Sequence, residues 1–309
     1  LLQYLTIFGI ILCLLWLMNK KSDVHPAWIG FFSLFFFTFK PIEPYVALTE
    51  LFCLFFITLG VTFVWGLERK EKDILAGAAF AISLFFSIIG LIPILAILFI
   101  SKNKKAWKWF AVTTLVLLAG VQLIWPSFGS FFLSYNLEYA GLWGEDITRF
   151  DRVARISFFL ASIILGALFF GIYSRRDPSK IPRAMMGWLI GGLLSILLVQ
   201  SFFPHHFFIL ATPLIILFSH GAHALFTNKQ KWIPLLVMGF FFTVYLTSAV
   251  FFQWYEPGNQ STIGEKIRQT AGPYDEVWVM GYMPEVYWYS NHRTHLPFFN
   301  TLVLVDHRL

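Results

Sequence analysis

Charge is what this sequence has least of. Asp, Glu, Lys and Arg make up only 13% of its 309 residues, while 58% are apolar and 19% aromatic. A soluble domain carries about 25% charge and about half apolar residues. One aqueous core does not hide so much greasy surface, so the composition excludes an ordinary soluble domain and implies an integral membrane protein. Cysteine is almost absent. Cys13 and Cys53 both lie inside apolar runs, and they read as packing residues rather than a disulfide pair. No Walker A loop, GxSxG, CxxC or HExxH occurs, which removes the best-marked routes to nucleotide hydrolysis, serine hydrolysis and zinc chemistry. Internal repeats and low-complexity tracts are missing too. The formal net charge of +6 falls in short clusters between apolar runs. That is how loops on the cytoplasmic side of a membrane look, and it does not suggest a nucleic-acid partner.

What the chain does have is a series of apolar runs long enough, at about 1.5 Å per residue, to enter or cross a bilayer. They fall near 1–18, 26–39, 44–67, 74–100, 109–126, 153–173, 184–202, 206–226 and 232–252. The expected fold is an α-helical polytopic membrane protein with about nine to ten spanning or half-spanning helices. The chain opens at Leu1 inside the first run, with no charged leader or small-residue cleavage site, which reads as a bundle over 1–252 that is incomplete at its N-terminus.

Loop charge sets the expected orientation. KNKKAWK (102–108) and SRRDPSKIPR (174–183) are the richest in Lys and Arg and are expected inside, with TNKQK (227–231) on the same side. ERKEKD (68–73) depends on the long run 74–100, which Gly90 and Pro93 interrupt. A single crossing puts this loop outside. A break near Ser87–Gly90 that returns the chain puts it inside, in better agreement with the charge rule, although each arm is then short for an upright crossing.

Beyond residue 252 the pattern changes. STIGEKIRQTAG reads as a short helix with Ser261 or Thr262 as N-cap, Glu265 near its third position and Gly272 as its stop. YDEVWVMG (274–281) alternates like a strand, and PEVYWYSN (284–291) has Pro at a helix start. The expectation for 253–309 is a small external α/β domain, itself truncated.

Three features could carry chemistry. Glu50 lies about six residues into the third run, roughly 9 Å deep, where charge is costly and usually functional. Its bland role is to tie helices together. His205 and His206, in FFPHHFFILATP (202–213), stand where a span begins. A helix N-terminus favours anions, and paired imidazoles add donors or charge, so a phosphate or pyrophosphate headgroup suits the place. The bland alternative is a histidine pair that only reaches the interface. In SFFLSYNLEYAGLWGEDITRFDRVAR (130–155), Tyr135, Glu138 and Tyr139 share a helical face opposite Phe131, Phe132, Leu133 and Leu137, as in a helix lying on the interface. Arg149 and Arg152 in the same loop either pair with neighbouring acids or hold a lipid phosphate.

The order of these features resembles the C-terminal part of a polyprenyl-phosphate-dependent glycosyltransferase of the C-type fold, a relative of the bacterial protein-mannosyl and aminoarabinose transferases. ALTELFCLFFITLGVTF (47–63) looks like the family's acidic helix. LAGAAFAISLFFSIIGLIP (75–93) looks like its glycine-led helix and break. SYNLEYAG (134–141) is similar to its loop after a middle span. PHHFFILATPLIIL (204–217) resembles its histidine-led helix start, and DEVWVMGYMPEVYWYSNHR (275–293) its external strand–helix tail. The resemblance implies a multi-pass enzyme of the bacterial cytoplasmic membrane, with its tail external. It would move a sugar from a polyprenyl-phosphate donor to an acceptor hydroxyl on a lipid, glycan or protein at the external leaflet. No cofactor is implied, and the metal requirement is not readable. The catalytic carboxylate of the family would lie upstream of Leu1, so no catalytic residue is assigned within the chain. One departure stands at Phe207, where the family usually has Tyr, which takes away a phenolic contact to the donor. A transporter or flippase of lipid-linked sugars, or a non-catalytic membrane scaffold, are the alternatives from other classes.

Overall fold

A computed structural model describes residues 2–38, 48–127, 129, 180–199, 204–227, 232–233, 236, 239–240, 243 and 260–270. All its described elements are helical. The chain forms two compact units, Leu1–Ser248 and Ala249–Leu309.

The first unit begins with α1 (Leu2–Lys21) and α2 (Pro26–Thr38). Pro26 opens α2, where its missing N–H costs nothing, and His25 Nδ1 accepts a hydrogen bond from the Ala27 N–H at 3.2 Å. Next come α3 (Leu48–Gly66), α4 (Lys72–Phe86), a 3₁₀ turn at Ile88–Gly90, α5 (Leu91–Ser101) and α6 (Lys104–Ile124). Then follow α7 (Lys180–Val199), a 3₁₀ run at Pro204–Leu210 and α8 (Ala211–Thr227).

Four described helices are long and apolar enough to cross a membrane: Leu2–Lys21, Thr49–Gly66, Lys104–Ile124 and His206–Thr227. Pro26–Phe37, Ile88–Ser101 and Arg183–Leu198 are apolar but shorter. The expected nine to ten spanning or half-spanning helices are therefore corrected to four of crossing length and three shorter apolar ones among the described residues. Apolar runs in the sequence overstate crossings because a broken run or a short helix is as greasy as a full one. The runs at 153–173 and, apart from isolated positions, 232–252 lie outside the described residues.

The long run 74–100 is a returning hairpin. The backbone of Ser87 is extended (φ −158°, ψ 128°), which ends α4. Pro93 then falls in the first turn of α5, where no intrahelical acceptor awaits its absent N–H. Asn103 Nδ2 donates to Asp73 Oδ1 at 2.6 Å, so the chain returns to the level from which α4 set out. A straight helix over those residues would separate the two by about 45 Å. Asn103 also caps α6, its Oδ1 accepting from the Ala106 N–H at 3.1 Å. Between them, Lys102 closes α5 in the left-handed conformation (φ 54°, ψ 26°). Glycine is the usual residue there, and a lysine costs about 1 kcal/mol more.

Helix packing fixes direction. Trp16 of α1 abuts Gly66, and Lys21 Nζ lies 3.8 Å from Glu68 Oε1, so α1 runs parallel to α3. Phe86 stacks on Phe52 and Phe56 at centroid distances of 5.0 and 5.6 Å, so α3 and α4 are antiparallel. Gly77 meets α6 backbone to backbone: a Cβ there would lie 2.6 Å from Phe110 N. On α7, a Cβ at Gly191 would stand 3.1 Å from Ile92 O, and Gly187 faces Ile100, so α7 runs antiparallel to α5. Phe218 of α8 stacks with Phe36 (6.1 Å) and Phe226 packs edge-on to Trp28 (5.9 Å). Small residues at crossings and interlocked aromatics are how helices associate in lipid, where hydrocarbon is already apolar and packing supplies the attraction. Thr58 and Thr212 join α3 to α8 through a buried hydroxyl–hydroxyl hydrogen bond of 2.9 Å. Helix α8 is buried almost throughout, and α6 buries only Ala106 and Phe110.

These directions gather the Lys- and Arg-rich ends of α1, α3–α4, α5–α6 and α7 at one end of the bundle. The start of α3, the turn at 88–90, the end of α7 and the run at 204–210 form the other. The charge-rule choice for ERKEKD, on the same side as KNKKAWK, is what the hairpin produces.

In the second unit the described element is α9 (Gln260–Thr270), with Arg268 Nη2 donating to Glu265 Oε1 at 3.1 Å. It starts at Gln260, so Ser261 and Thr262 lie inside the helix rather than capping it. The segments 274–281 and 284–291 lie outside the described residues.

Candidate functional site

The end opposite the basic clusters is assembled from three helix beginnings. Helix α3 starts at Leu48, the α5 arm at the 3₁₀ turn 88–90, and α8 at the 3₁₀ run 204–210. A proline opens the third, at Pro204, and the second follows from the extended backbone at Ser87. The run 204–210 packs on α3, on α7 and on the turn at 88–90, so all three beginnings share one region.

Glu50 sits in the first turn of α3. The sequence placed it about six residues deep. In the described helix α3, Leu48–Gly66, the carboxylate belongs to the first turn and is half-buried. There the positive end of the helix dipole stabilises it. Thr49 Oγ1 donates to Glu50 Oε2 at 2.7 Å, which orients the carboxylate. One turn further, the Cys53 thiol donates to Ser87 O at 3.5 Å. Gly90 presses against Cys53 so closely that a Cβ would come within 2.7 Å of Sγ. This contact holds the break of the α4–α5 hairpin against α3. Cys13 and Cys53 are both free thiols.

His206 is half-buried in the 3₁₀ run, and Phe207 beside it is 2% exposed. The backbone of His205 belongs to the same run. Thus the elements bearing Glu50 and His206 come together, as does the hairpin break. Tyr135, Glu138, Tyr139, Arg149 and Arg152 lie outside the described residues.

Some polar groups gave no signal in the sequence. Ser195 lies on α7, one turn beyond Gly191, which faces Ile92 and Pro93, and Gly192, which faces Ile209 and Leu210. Its stripe therefore runs between the second and third helix beginnings. Ser195 Oγ is buried with no hydrogen-bond partner, as are Ser33 Oγ, Trp188 Nε1 and Ser219 Oγ. A buried hydroxyl left unmatched costs about 1–3 kcal/mol. Serine and tryptophan in apolar helices read as packing residues, so only the packed structure reveals them. Among the described residues, no three His, Cys, Asp or Glu side chains are grouped to hold a metal ion.

Comparison with known protein families, curated proteins and solved structures finds no match to this chain. The chemistry open to the site follows from its parts. The positive dipole ends of the helix beginnings favour an anion, one carboxylate can accept a hydrogen bond from a hydroxyl, and imidazole can donate to phosphate oxygen.

Proposed function

We propose that this chain is the bundle of an integral membrane glycosyltransferase that moves a sugar from a polyprenyl-phosphate carrier to an acceptor hydroxyl at the external leaflet. Its setting would be the bacterial cytoplasmic membrane. The observation that carries this reading is the meeting of three helix beginnings, with Glu50 and His206, at the end away from the basic clusters. By the positive-inside rule the basic end faces the cytoplasm, so the site faces out. The departing carrier phosphate gains negative charge as the sugar leaves. Donors supplied there by His205, His206 and the start of their helix would lower that barrier. The acceptor proton would pass to a carboxylate, a role not assigned to any residue of this chain. Arg149 and Arg152 are further candidates for the phosphate, and Tyr135, Glu138 and Tyr139 are candidates for binding the lipid phosphate or substrate.

The test is transfer by the complete protein in proteoliposomes, with a radiolabelled polyprenyl-phosphate sugar and a hydroxyl acceptor. His206→Ala is expected to lower kcat by about 10²-fold while the thermal midpoint stays within a degree or two. Undiminished turnover removes the histidines from the mechanism, and no transfer from any such donor sinks the enzyme reading.

A second reading, a transporter or flippase of lipid-linked sugars, is favoured by the unmatched polar atoms of Ser33, Trp188, Ser195 and Ser219 inside the bundle. Carrier-linked sugar that changes leaflet without being cleaved would select it.

A further inference from the structure

We infer that the α3–α4 and α5–α6 turns together form a binding site for the headgroup of an anionic phospholipid, at the end of the bundle opposite the candidate active site. The inference rests on the membrane character of the chain and not on the sugar-transfer reading.

The two turns are thirty residues apart in sequence and meet where Asn103 donates to Asp73 at 2.6 Å. One supplies Arg69, Lys70 and Lys72, the other Lys102, Lys104, Lys105 and Lys108. Against these seven cations, residues 68–73 and 102–108 hold three acids, Glu68, Glu71 and Asp73, which leaves a net charge of +4. Two of the acids are already engaged, Asp73 by Asn103 and Glu68 by Lys21 at 3.8 Å. All the cations are exposed except Lys72, which is half-buried. Like charges gathered on adjoining turns repel one another, and anions among them relieve that repulsion.

The neighbouring surface suits a lipid rather than a free ion. Helix α6 leaves this patch with half-buried Trp107 and Trp109 in its opening turns, at the depth where indole rings settle among headgroups. Its next turns expose Val112 (39%), Leu115 (66%) and Val116 (64%), a lane for acyl chains directly beyond the charges. Lys102 adds an independent sign. It holds a left-handed position (φ 54°) that glycine fills without strain, so the fold alone does not call for a lysine there.

The experiment uses the full chain in neutral detergent, titrated with short-chain phosphatidylglycerol, phosphatidylcholine or inorganic phosphate. Bound lipid is counted by native mass spectrometry, and the thermal midpoint is followed in parallel. Phosphatidylglycerol is expected to half-saturate at a concentration at least tenfold below phosphatidylcholine, with the difference collapsing at 0.5 M salt. Each cation removed should weaken it roughly fivefold. The triple variant Lys104→Gln/Lys105→Gln/Lys108→Gln then loses about a hundredfold. Lys102→Gly loses about fivefold while melting no lower than the parent, and it decides the matter should the triple variant fail to fold. Equal affinity for the two lipids overturns the inference. So does phosphatidylglycerol binding that survives Lys102→Gly or the folded triple variant unchanged. Inorganic phosphate that competes at the same concentration as the lipid overturns it in favour of a free-phosphate pocket.

Discussion

Asn103 carries more of this fold than its size suggests. Its carbonyl caps α6, and its amide closes the α4–α5 hairpin on Asp73. Asn103→Ala removes both bonds and is expected to cost about 1–2 kcal/mol, as lost caps do. Unfolding in mixed detergent–SDS micelles measures this, and an unchanged midpoint would mean that the turn is held by other contacts. Thr212 makes the contrast. Thr212→Val removes the bond to Thr58, but Thr58 Oγ1 still donates to Leu54 O at 2.7 Å, so nothing charged is stranded. The expected loss is about 0.6 kcal/mol, the usual worth of an interhelical side-chain bond in lipid. At this scale the sequence marked Glu50 and His206 because charge and imidazole stand out against hydrocarbon. It gave no hint of Ser195 or Trp188, whose significance is the lack of a partner, a property of the packed state alone.

Elements of this bundle differ in what fixes them. Helices α2 and α8 lock through aromatic rings, which tolerate small shifts. The α4–α6 crossing depends on Gly77, where a side chain would meet the backbone of Trp109 and Phe110. Backbone does not step aside as a side chain can. Gly77→Leu is therefore expected to part the two helices and lower stability by about 1–3 kcal/mol, whereas Gly30→Leu, with nothing within 4 Å, should be nearly silent. Equal midpoints for the two variants would refute close α4–α6 packing. The existence of most of these helices was legible, since apolar runs and the Gly90/Pro93 interruption are composition along a line. Their ends were less so. Glu50, about six residues into the apolar run, falls in the first turn of the described α3, and α9 begins at Gln260, ahead of its expected caps.

For the molecule as a whole, the sharpest expectation concerns sidedness. Single cysteines at Lys70 and Lys105, in a background without Cys13 and Cys53, should react with a membrane-impermeant maleimide from the same side. One at Ser127, exposed just beyond the end of α6, should react from the other. If Lys70 and Lys105 label from opposite sides, residues 72–101 cross once and the hairpin is wrong. The same outcome would separate the two turns proposed to grip a lipid headgroup and would disperse the helix beginnings that form the candidate site.

The sequence alone determined the membrane character of this chain, because 58% apolar and 13% charged residues are more greasy surface than one aqueous core hides. It also determined where the basic clusters lie along the chain. Only the tertiary structure decided that the run 74–100 turns back. Hydrophobicity measures solvent preference and not direction, and both the straight and the folded form satisfy it. Packing chose between them: the break at Ser87–Gly90 seats on Cys53 of α3, α5 lies along Gly187 and Gly191 of α7, and Asn103 closes on Asp73, which joins residues far apart in sequence into one basic end and one candidate site.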